Sequence, residues 1–270
     1  MAEFQAIADM LLTDSLIDEL HTFRIERMAR SVAAMRERFP FADGEATGGG
    51  FVTFSGEGVP RTAAYGIGHR GASFDLAELD AFFAGRASNW DLVVTPFASR
   101  TVFDQATQLG YVPVHFRTVL AQVAEAVDVP VPPGVEIEEV TRDLDLWTRV
   151  SDAGWADRAA LNDAPTELGI MMAVTPGRRY LAWVDGEPAA TATLVSFGNR
   201  CFFAGACTRL SFRGRGLQSA LTLRRLFDAG PGALVQVVAL PGTQSHRNLQ
   251  RVGFCPLYSK LILSRHSRSG

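Results

Sequence analysis

The stretch RLSFRGRGLQSAL, residues 209–221, decides how the rest of the chain is interpreted. It follows a strand-like segment and leads into a run with helical character. The unpaired amides of a first helical turn point outward, and the helix dipole adds partial positive charge there. Gly214 and Gly216 would let the backbone approach an anion closely, and Arg213 and Arg215 add charge. The stretch therefore predicts an anion site of the kind that holds phosphate.

Three phosphate-binding motifs compete for this stretch. A P-loop requires a Gly-Lys pair, which is absent here. A dinucleotide fingerprint requires three glycines, but Ser219 stands at the third position. That fingerprint also opens a parallel βαβ unit, whereas the segments before this stretch are predicted to form antiparallel hairpins. The pattern R/Q-x-x-G-x-G/A fits from Arg213 to Gln218 except at its last position.

Composition and charge narrow the class of protein. The 270 residues predict about two domains, and 47% hydrophobic residues suffice for globular cores. A net charge of −3 disfavours nucleic-acid binding, and no apolar run is long enough to predict a membrane span. Acidic residues near the N-terminus disfavour an export signal. Three cysteines without C-x-x-C spacing (Cys201, Cys207, Cys255) predict reduced thiols, a cytoplasmic location and no metal site.

The chain divides near residue 130. Helical periodicity over residues 16–38 ends before Pro40, and glycine-broken strands and further helices follow. Three prolines within residues 130–133 place a linker at 126–134, between domains 1–125 and 135–270. The second domain is expected to contain, in order, a strand, two helices, three antiparallel strands, the glycine–arginine loop, a helix, a strand, a helix and a strand.

The loop and this element order together resemble the GNAT superfamily of N-acetyltransferases. Arg213, Gly214, Gly216 and Leu217 match the family's acyl-CoA signature, whereas Gln218 stands where glycine or alanine is common. The resemblance implies an α/β (α+β) fold with a mixed, largely antiparallel sheet flanked by helices. It also implies that acetyl-CoA, as a co-substrate, binds the residues of the loop: Arg213, Gly214, Arg215, Gly216, Leu217, Gln218 and Ser219.

A second resemblance lies in PGTQSHRNLQRVGF, residues 241–254. In this superfamily the strand before such a helix splays from its neighbour to admit pantetheine. Ser245 and Asn248 occupy polar positions that face CoA in relatives, although Thr243 or Ser245 could instead simply cap the helix. Backbone amides at Cys207 and Thr208 would hold pantetheine and polarise the thioester carbonyl.

The two halves of the chain overlay at an offset of 143 residues. QLGYVPVHFRTVLAQ (108–122) falls on RVGFCPLYSKLILSR (251–265), and Arg70-Gly71 falls on Arg213-Gly214. Ser73 and Asp75 then replace Gly216 and Gln218. Because an aspartate at a helix start fills the amides and repels a diphosphate, we expect a tandem GNAT-like protein with a degenerate first domain. The alternative is that residues 1–125 form an unrelated α/β domain.

The catalytic groups are harder to assign. Leu249 stands where many family members carry a tyrosine that acts as the general acid. Tyr258 is the nearest substitute in sequence, although it could instead simply fill the surface of the sheet. No base stands out among the carboxylates near the expected acceptor pocket (Asp152, Asp157, Asp163, Glu167), and His246 is most simply a surface residue. Trp155, Met171 and Met172 could line the acceptor pocket, although core packing suits the methionines better.

The resemblance thus implies an acetyl-CoA-dependent N-acetyltransferase in which a primary amine of a small molecule or peptide attacks the thioester directly. The alternative is a non-catalytic acyl-CoA sensor, favoured by the missing tyrosine and base. Nothing in the sequence fixes the acyl length, the acceptor or the choice between monomer and homodimer.

Overall fold

The computed structural model describes residues 12–57, 59, 61–142 and 144–265. Contacts between Cα atoms divide these residues into two compact units. The N-terminal unit comprises residues 12–118 together with 258–265, and the C-terminal unit comprises residues 119–257. The boundaries therefore fall inside two strands, at Val119 and at Tyr258, rather than in the proline-rich segment before Val135.

The N-terminal unit begins with a long helix, α1, that packs on strands of its sheet. Thr13 caps this helix, and the helix ends before Pro40 as the sequence predicts. The elements of the unit, in chain order, are α1 (Asp14–Arg36), β1 (Asp43–Thr47), β2 (Gly50–Phe54), β3 (Ala63–Tyr65), α2 (Leu76–Phe83), β4 (Asp91–Val94), α3 (Arg100–Gln108) and the first part of β5 (Val112–Val123).

The sheet of the N-terminal unit has the order β1-β2-β3-β4-β11-β5, in which β11 is Cys255–Ser264. Strands β1, β2 and β3 are antiparallel, β3 and β4 are parallel, and β11 runs antiparallel to β4. Leu261 faces Val94 and Ser264 faces Asp91 in that last ladder. The final strand of the chain is thus part of the first unit.

The C-terminal unit carries the predicted order of elements except for its last strand, β11, most of which belongs to the N-terminal unit. They are β6 (Val135–Val140), α4 (Asp145–Trp155), α5 (Glu167–Val174), β7 (Arg178–Val184), β8 (Glu187–Phe197), β9 (Arg200–Thr208), a 3-10 turn (Leu210–Phe212), α6 (Leu217–Ala229), β10 (Leu234–Ala239) and α7 (Gln244–Arg251). Its sheet has the order β5-β10-β9-β8-β7-β6, antiparallel from β6 to β9 and parallel between β9 and β10. The predicted α/β class, with a mixed and largely antiparallel sheet flanked by helices, is confirmed.

The last strands of the two halves have changed places. The overlay at an offset of 143 places β4 on β10, α3 on α7 and β5 on β11. Yet β5 lies beside β10 and β11 lies beside β4, so each half supplies its last strand to the other sheet. The overlay of these elements shows that the two halves are similar in element order. The exchange of the last strands is the reason that the units do not coincide with the predicted boundaries of 1–125, 126–134 and 135–270.

Candidate functional site

The glycine–arginine loop joins β9 to α6 in the C-terminal unit. Gly214 has a φ of 79° and Gly216 a φ of 77°, both in the left-handed region that favours glycine. A Cβ added at Gly214 would meet nothing within 4 Å. The glycines are thus needed for the path of the backbone, and the space beside Gly214 is open.

The amides of residues 214–219 have no hydrogen-bond acceptor among the residues that the structure describes. Gly216 precedes α6 and provides no side chain that could cap it, so the first amide bonded back to the cap residue is that of Ala220, at 3.1 Å from the Gly216 carbonyl. Unfilled amides at the start of a helix are a site for an anion, because the helix dipole acts in the same direction.

The corresponding helix start in the N-terminal unit is filled by side chains. The Asp75 carboxylate accepts from the Ala77 amide at 2.8 Å, and the Gln105 side-chain oxygen accepts from the Leu76 amide at 3.1 Å. The expectation that Asp75 occupies these amides is confirmed. The two halves therefore share the same backbone frame, a loop that leads into a helix, but only in the C-terminal unit are the amides at the helix start free of side-chain acceptors among the described residues.

The arginines of the loop have different roles. Arg213 forms an ion pair with Asp157 and donates to the Thr208 carbonyl at 3.3 Å, so it fastens the loop to the segment after α4. Arg215 lies 3.8 Å from Asp185 with both side chains largely exposed, a pairing that contributes little to stability. Arg209 is buried and donates to the Pro188 carbonyl at 2.6 Å, which makes it a structural residue.

Gln218 joins the starts of α6 and α7. Its amide nitrogen donates to the Ser245 hydroxyl at 2.7 Å, and its oxygen accepts from Asn248 at 2.8 Å. Thr243 caps α7 by accepting from the His246 amide, so Ser245 is not the cap. The structure thus brings Ser245 and Asn248 to the loop through two hydrogen bonds that a glycine or alanine at position 218 could not make.

Two irregularities in β9 shape the strand that leads into the loop. Thr191 pairs with Cys207 and Thr193 with Ala204, so two residues of β9 lie opposite Ala192 in a β-bulge. The parallel ladder between β9 and β10 ends at Phe203, although β9 continues to Thr208. Residues 204–208 are therefore unpaired with β10, as expected for strands that splay.

The thiol of Cys207 lies against residues of β8 and α4. Its Sγ lies 3.2 Å from the Thr191 hydroxyl and 3.5 Å from the Ser151 carbonyl. Burial raises the pKa of the Cys207 thiol to about 11. The backbone at Cys207 and Thr208, rather than either side chain, is the candidate ligand-binding group.

Arg225 is a residue of this site that the sequence interpretation missed. It is 2% exposed and donates from one nitrogen to the Thr193 and Ala204 carbonyls, at 3.2 and 3.4 Å. These carbonyls flank the β-bulge, so Arg225 supports the irregular backbone from below. The signal was present, because Leu217, Leu221 and Arg225 recur every four residues on the buried face of α6.

The predicted acid lies in the N-terminal unit. The Tyr258 ring packs edge-on against Phe97 with centroids 4.9 Å apart, and burial raises its pKa. Leu249, at the position of the family's tyrosine, is 3% exposed and belongs to the core of the C-terminal unit. The role of Tyr258 as an acid stays a prediction.

The carboxylates considered as bases are largely engaged or exposed. Asp152 is buried and accepts from both the amide and the hydroxyl of Thr166, where it supports the start of α5. Asp157 pairs with Arg213, whereas Asp163 and Glu167 are exposed. No base is assigned by these contacts.

Three further side chains have definite surroundings. His246 is half-buried rather than a surface residue, and its Nε2 has no partner among the described residues. Met171 is buried in the core, whereas Trp155 is 66% exposed at the end of α4.

Across the residues that the structure describes, no helix is long and apolar enough to cross a membrane, and no group of three His, Cys, Asp or Glu is arranged for a metal ion.

Comparisons with known proteins show which solved structures have a similar fold. No protein-family model and no curated protein matches the chain. Among solved structures, a GCN5-related N-acetyltransferase from Kribbella flavida matches with a TM-score of 0.63 and 19% identity over 90% of this chain and 95% of that chain. A tandem GNAT protein from the clavulanic acid biosynthesis pathway matches with a TM-score of 0.57 and 15% identity over 94% and 97%.

At these identities the similarity concerns the fold. It extends over nearly the full length of both solved structures, including the one described as tandem. The chain therefore has the fold of the GCN5-related N-acetyltransferases in a tandem GNAT arrangement.

Proposed function

We propose that this chain is an acetyl-CoA-dependent N-acetyltransferase that transfers an acetyl group to a primary amine of a small molecule or peptide by direct attack. The observation that carries the proposal is the row of unfilled amides at residues 214–219, next to a strand edge that leaves its parallel neighbour after Phe203. The N-terminal unit has the same frame with its amides filled. The C-terminal unit is therefore the proposed catalytic unit.

The residues of this unit divide the work of binding. The amides of 214–219 would hold the diphosphate, with Arg215 at its exposed side, and Ser245 and Asn248 would line the start of α7 through their contact with Gln218. Pantetheine would run along the unpaired edge of β9. The bulge before Cys207 would orient the thioester, so that binding supplies orientation for the attack.

The proposed chemistry is a single acyl transfer. The amine nitrogen forms a bond with the thioester carbonyl carbon, the carbon–sulfur bond breaks, and the ammonium proton leaves through a base or water while the thiolate gains a proton. Arg225 is a positioning residue in this scheme, because it acts through the carbonyls on either side of the bulge.

A second candidate is a non-catalytic acyl-CoA-binding protein. Leu249 is buried where relatives carry an acid, and Asp152 and Asp157 are engaged by Thr166 and Arg213. These contacts favour binding without turnover. The two candidates share the same CoA site and differ only in the transfer step.

The test uses the purified full-length chain, acetyl-CoA and a panel of primary amines. Release of the CoA thiol is followed with a thiol reagent, and the N-acetyl product is identified by mass. The proposal predicts saturable acetyl-CoA binding and turnover with at least one class of amine. Binding without turnover over a broad panel would favour the second candidate, and absence of saturable binding would contradict both.

A further inference from the structure

The N-terminal unit contains an open cavity where α1 and α2 end. Its volume is about 560 Å³, within the range of roughly 300–1,000 Å³ that is usual for small-molecule sites. Its walls come from the end of α1, the start of β1, the end of β2 and the turn after α2, and the side chains that matter below are Arg36, Phe41, Asp43, Phe54 and Arg86. All of the lining residues belong to this unit.

One carboxylate joins the two arginines of the cavity. Asp43 accepts from Arg36 through one oxygen and from Arg86 through the other, the latter at 2.9 Å. It also accepts from the Gly44 amide at 2.9 Å. Although burial acts in the opposite direction, that amide and the two guanidinium groups hold the pKa of Asp43 below its ordinary value. At neutral pH, therefore, one negative charge in the lining faces two positive charges.

The two guanidinium groups have further donors to offer. Arg36 donates from Nε to the Ala42 carbonyl at 3.0 Å and from Nη2 to Asp43, whereas Arg86 donates only from Nη1. Nη1 of Arg36 and Nε and Nη2 of Arg86 have no acceptor among the residues that the structure describes. Both side chains are partly exposed, so a ligand could reach these donors. Forked guanidinium donors match the two oxygens of a carboxylate.

Aromatic rings form another part of the wall. Phe41 is 45% exposed, and the centre of its ring lies 5.8 Å from that of Phe39 and 6.3 Å from that of Phe54. Both of these neighbours are buried, so Phe41 rests on the core with one side and is open on the other. A Cβ at Gly85 would meet nothing within 4 Å, so there is free space on that side of the cavity. A flat ring could pack against Phe41 in an offset or edge-on arrangement.

We propose that this cavity binds a small aromatic molecule that carries a single carboxylate. The carboxylate would accept from the unused donors of Arg36 and Arg86, and the ring would pack against Phe41. One negative charge balances the one positive charge in excess, whereas a second would lie near Asp43 and be repelled by it. A neutral ring would leave the excess charge in place, and an aliphatic acid would leave Phe41 uncovered. The proposal does not depend on acyl transfer, because the lining contains no residue of the C-terminal unit.

The test measures the binding of three probes to the full-length chain by titration calorimetry. Cinnamate carries both the ring and the charge. Cinnamamide carries the same ring without the charge, and hexanoate carries the charge without a ring. The comparison therefore separates the contribution of the arginines from that of the aromatic wall.

Two matched pairs of variants locate the binding. Arg86→Met removes donors of the cavity, and its control, Arg100→Met, removes an arginine of the same unit that is 92% exposed. Phe41→Ala removes the exposed ring, and its control, Phe103→Ala, removes a ring of the same unit that is 39% exposed. Neither control residue lines the cavity. Thermal melting verifies that the variants are folded.

The proposal predicts that cinnamate binds roughly tenfold more tightly than cinnamamide or hexanoate, because each of these probes lacks one of the two contacts. Arg86→Met and Phe41→Ala should each weaken cinnamate binding by roughly fivefold or more, whereas both controls should leave it within about twofold. Asp43→Asn should strengthen it by roughly threefold or more, because it removes the negative charge that competes for the same guanidinium groups.

Two results would overturn the proposal. One is the absence of measurable cinnamate binding, or an affinity for cinnamamide equal to that for cinnamate, because the arginines would then take no part. The other is cinnamate binding that survives both Arg86→Met and Phe41→Ala, or that the control variants weaken equally, because the ligand would then lie elsewhere. If Asp43→Asn does not fold, the two matched pairs decide the question without it.

Discussion

The replacement of Gly216 by aspartate, with asparagine as its matched control, tests the proposed diphosphate site quantitatively. Both side chains enter a position with a φ of 77°, where a Cβ would meet only Pro132 at 3.5 Å, an ordinary contact. Backbone strain of about 1–2 kcal/mol is therefore expected in both variants, somewhat less for asparagine, which tolerates this region. The two variants differ essentially in one negative charge.

That charge would lie near the amides of residues 214–219. Two unit charges about 5 Å apart repel by about 3 kcal/mol at an effective dielectric constant of about 20, and exposure to solvent reduces this to about 2–3 kcal/mol. A loss of that size corresponds to an increase in Kd of roughly 30- to 150-fold. The neutral asparagine variant should bind acetyl-CoA within about tenfold of the wild type.

The assay is calorimetric titration of acetyl-CoA at low salt, with thermal melting to verify that both variants are folded. The difference between aspartate and asparagine should shrink as salt is added, since the added charge is partly exposed. Equal affinities for the two variants would refute the reasoning, because they would place the diphosphate away from these amides.

Three further predictions concern stability and reactivity. Asp75→Ala removes the cap of α2 and should lower the free energy of unfolding by about 1 kcal/mol in denaturant titrations, without changing acetyl-CoA affinity; unchanged stability would argue against the cap. Gln218→Ala breaks the hydrogen bonds to Ser245 and Asn248 and should destabilise the chain by about 1–2 kcal/mol while weakening acetyl-CoA binding; normal binding would remove this contact from the site. Burial raises the pKa of the Cys207 thiol from 9.0 to about 11, so little of it is thiolate at pH 8. Alkylation of Cys207, measured by mass, should therefore be roughly 100-fold slower in the folded chain than in the unfolded chain. Rapid labelling of the folded chain would contradict the burial of this thiol.

The sequence predicted the elements well because their signals are local. Helical periodicity, Pro40 and Gly110 placed helix ends, and Asp75 was recognised as a cap that the structure confirms. The order of strands and helices in the C-terminal unit followed from short turns between apolar runs. Such signals depend on a few neighbouring residues and carry over directly into the fold.

The exchange of β5 and β11 could not be predicted from the same signals. The two strands are similar in sequence, because residues 108–122 and 251–265 share the positions of a glycine, an aromatic residue and a proline in the overlay. Which of two similar strands pairs with β4 or β10 depends on pairing between distant segments, and the periodicity of a strand does not specify its partner. The predicted domain boundaries rest on the prolines, a local signal that carries no information about this exchange of strands.

The backbone conformation of the candidate site could be predicted from the sequence, whereas the contacts of its side chains could not. Glycine at a helix start predicts available amides, and Gly214 and Gly216 do adopt the conformation that this requires. The ion pair of Arg213 with Asp157 and the hydrogen bonds of Gln218 join residues far apart in sequence.

The central claim is that the start of α6 holds the diphosphate of an acyl-CoA. A crystal structure of the full-length chain with CoA tests it most directly. We expect diphosphate oxygens about 3 Å from the amides of residues 214–219, with the side chains of Ser245 and Asn248 beside the ligand. A diphosphate bound at the start of α2 instead would contradict it.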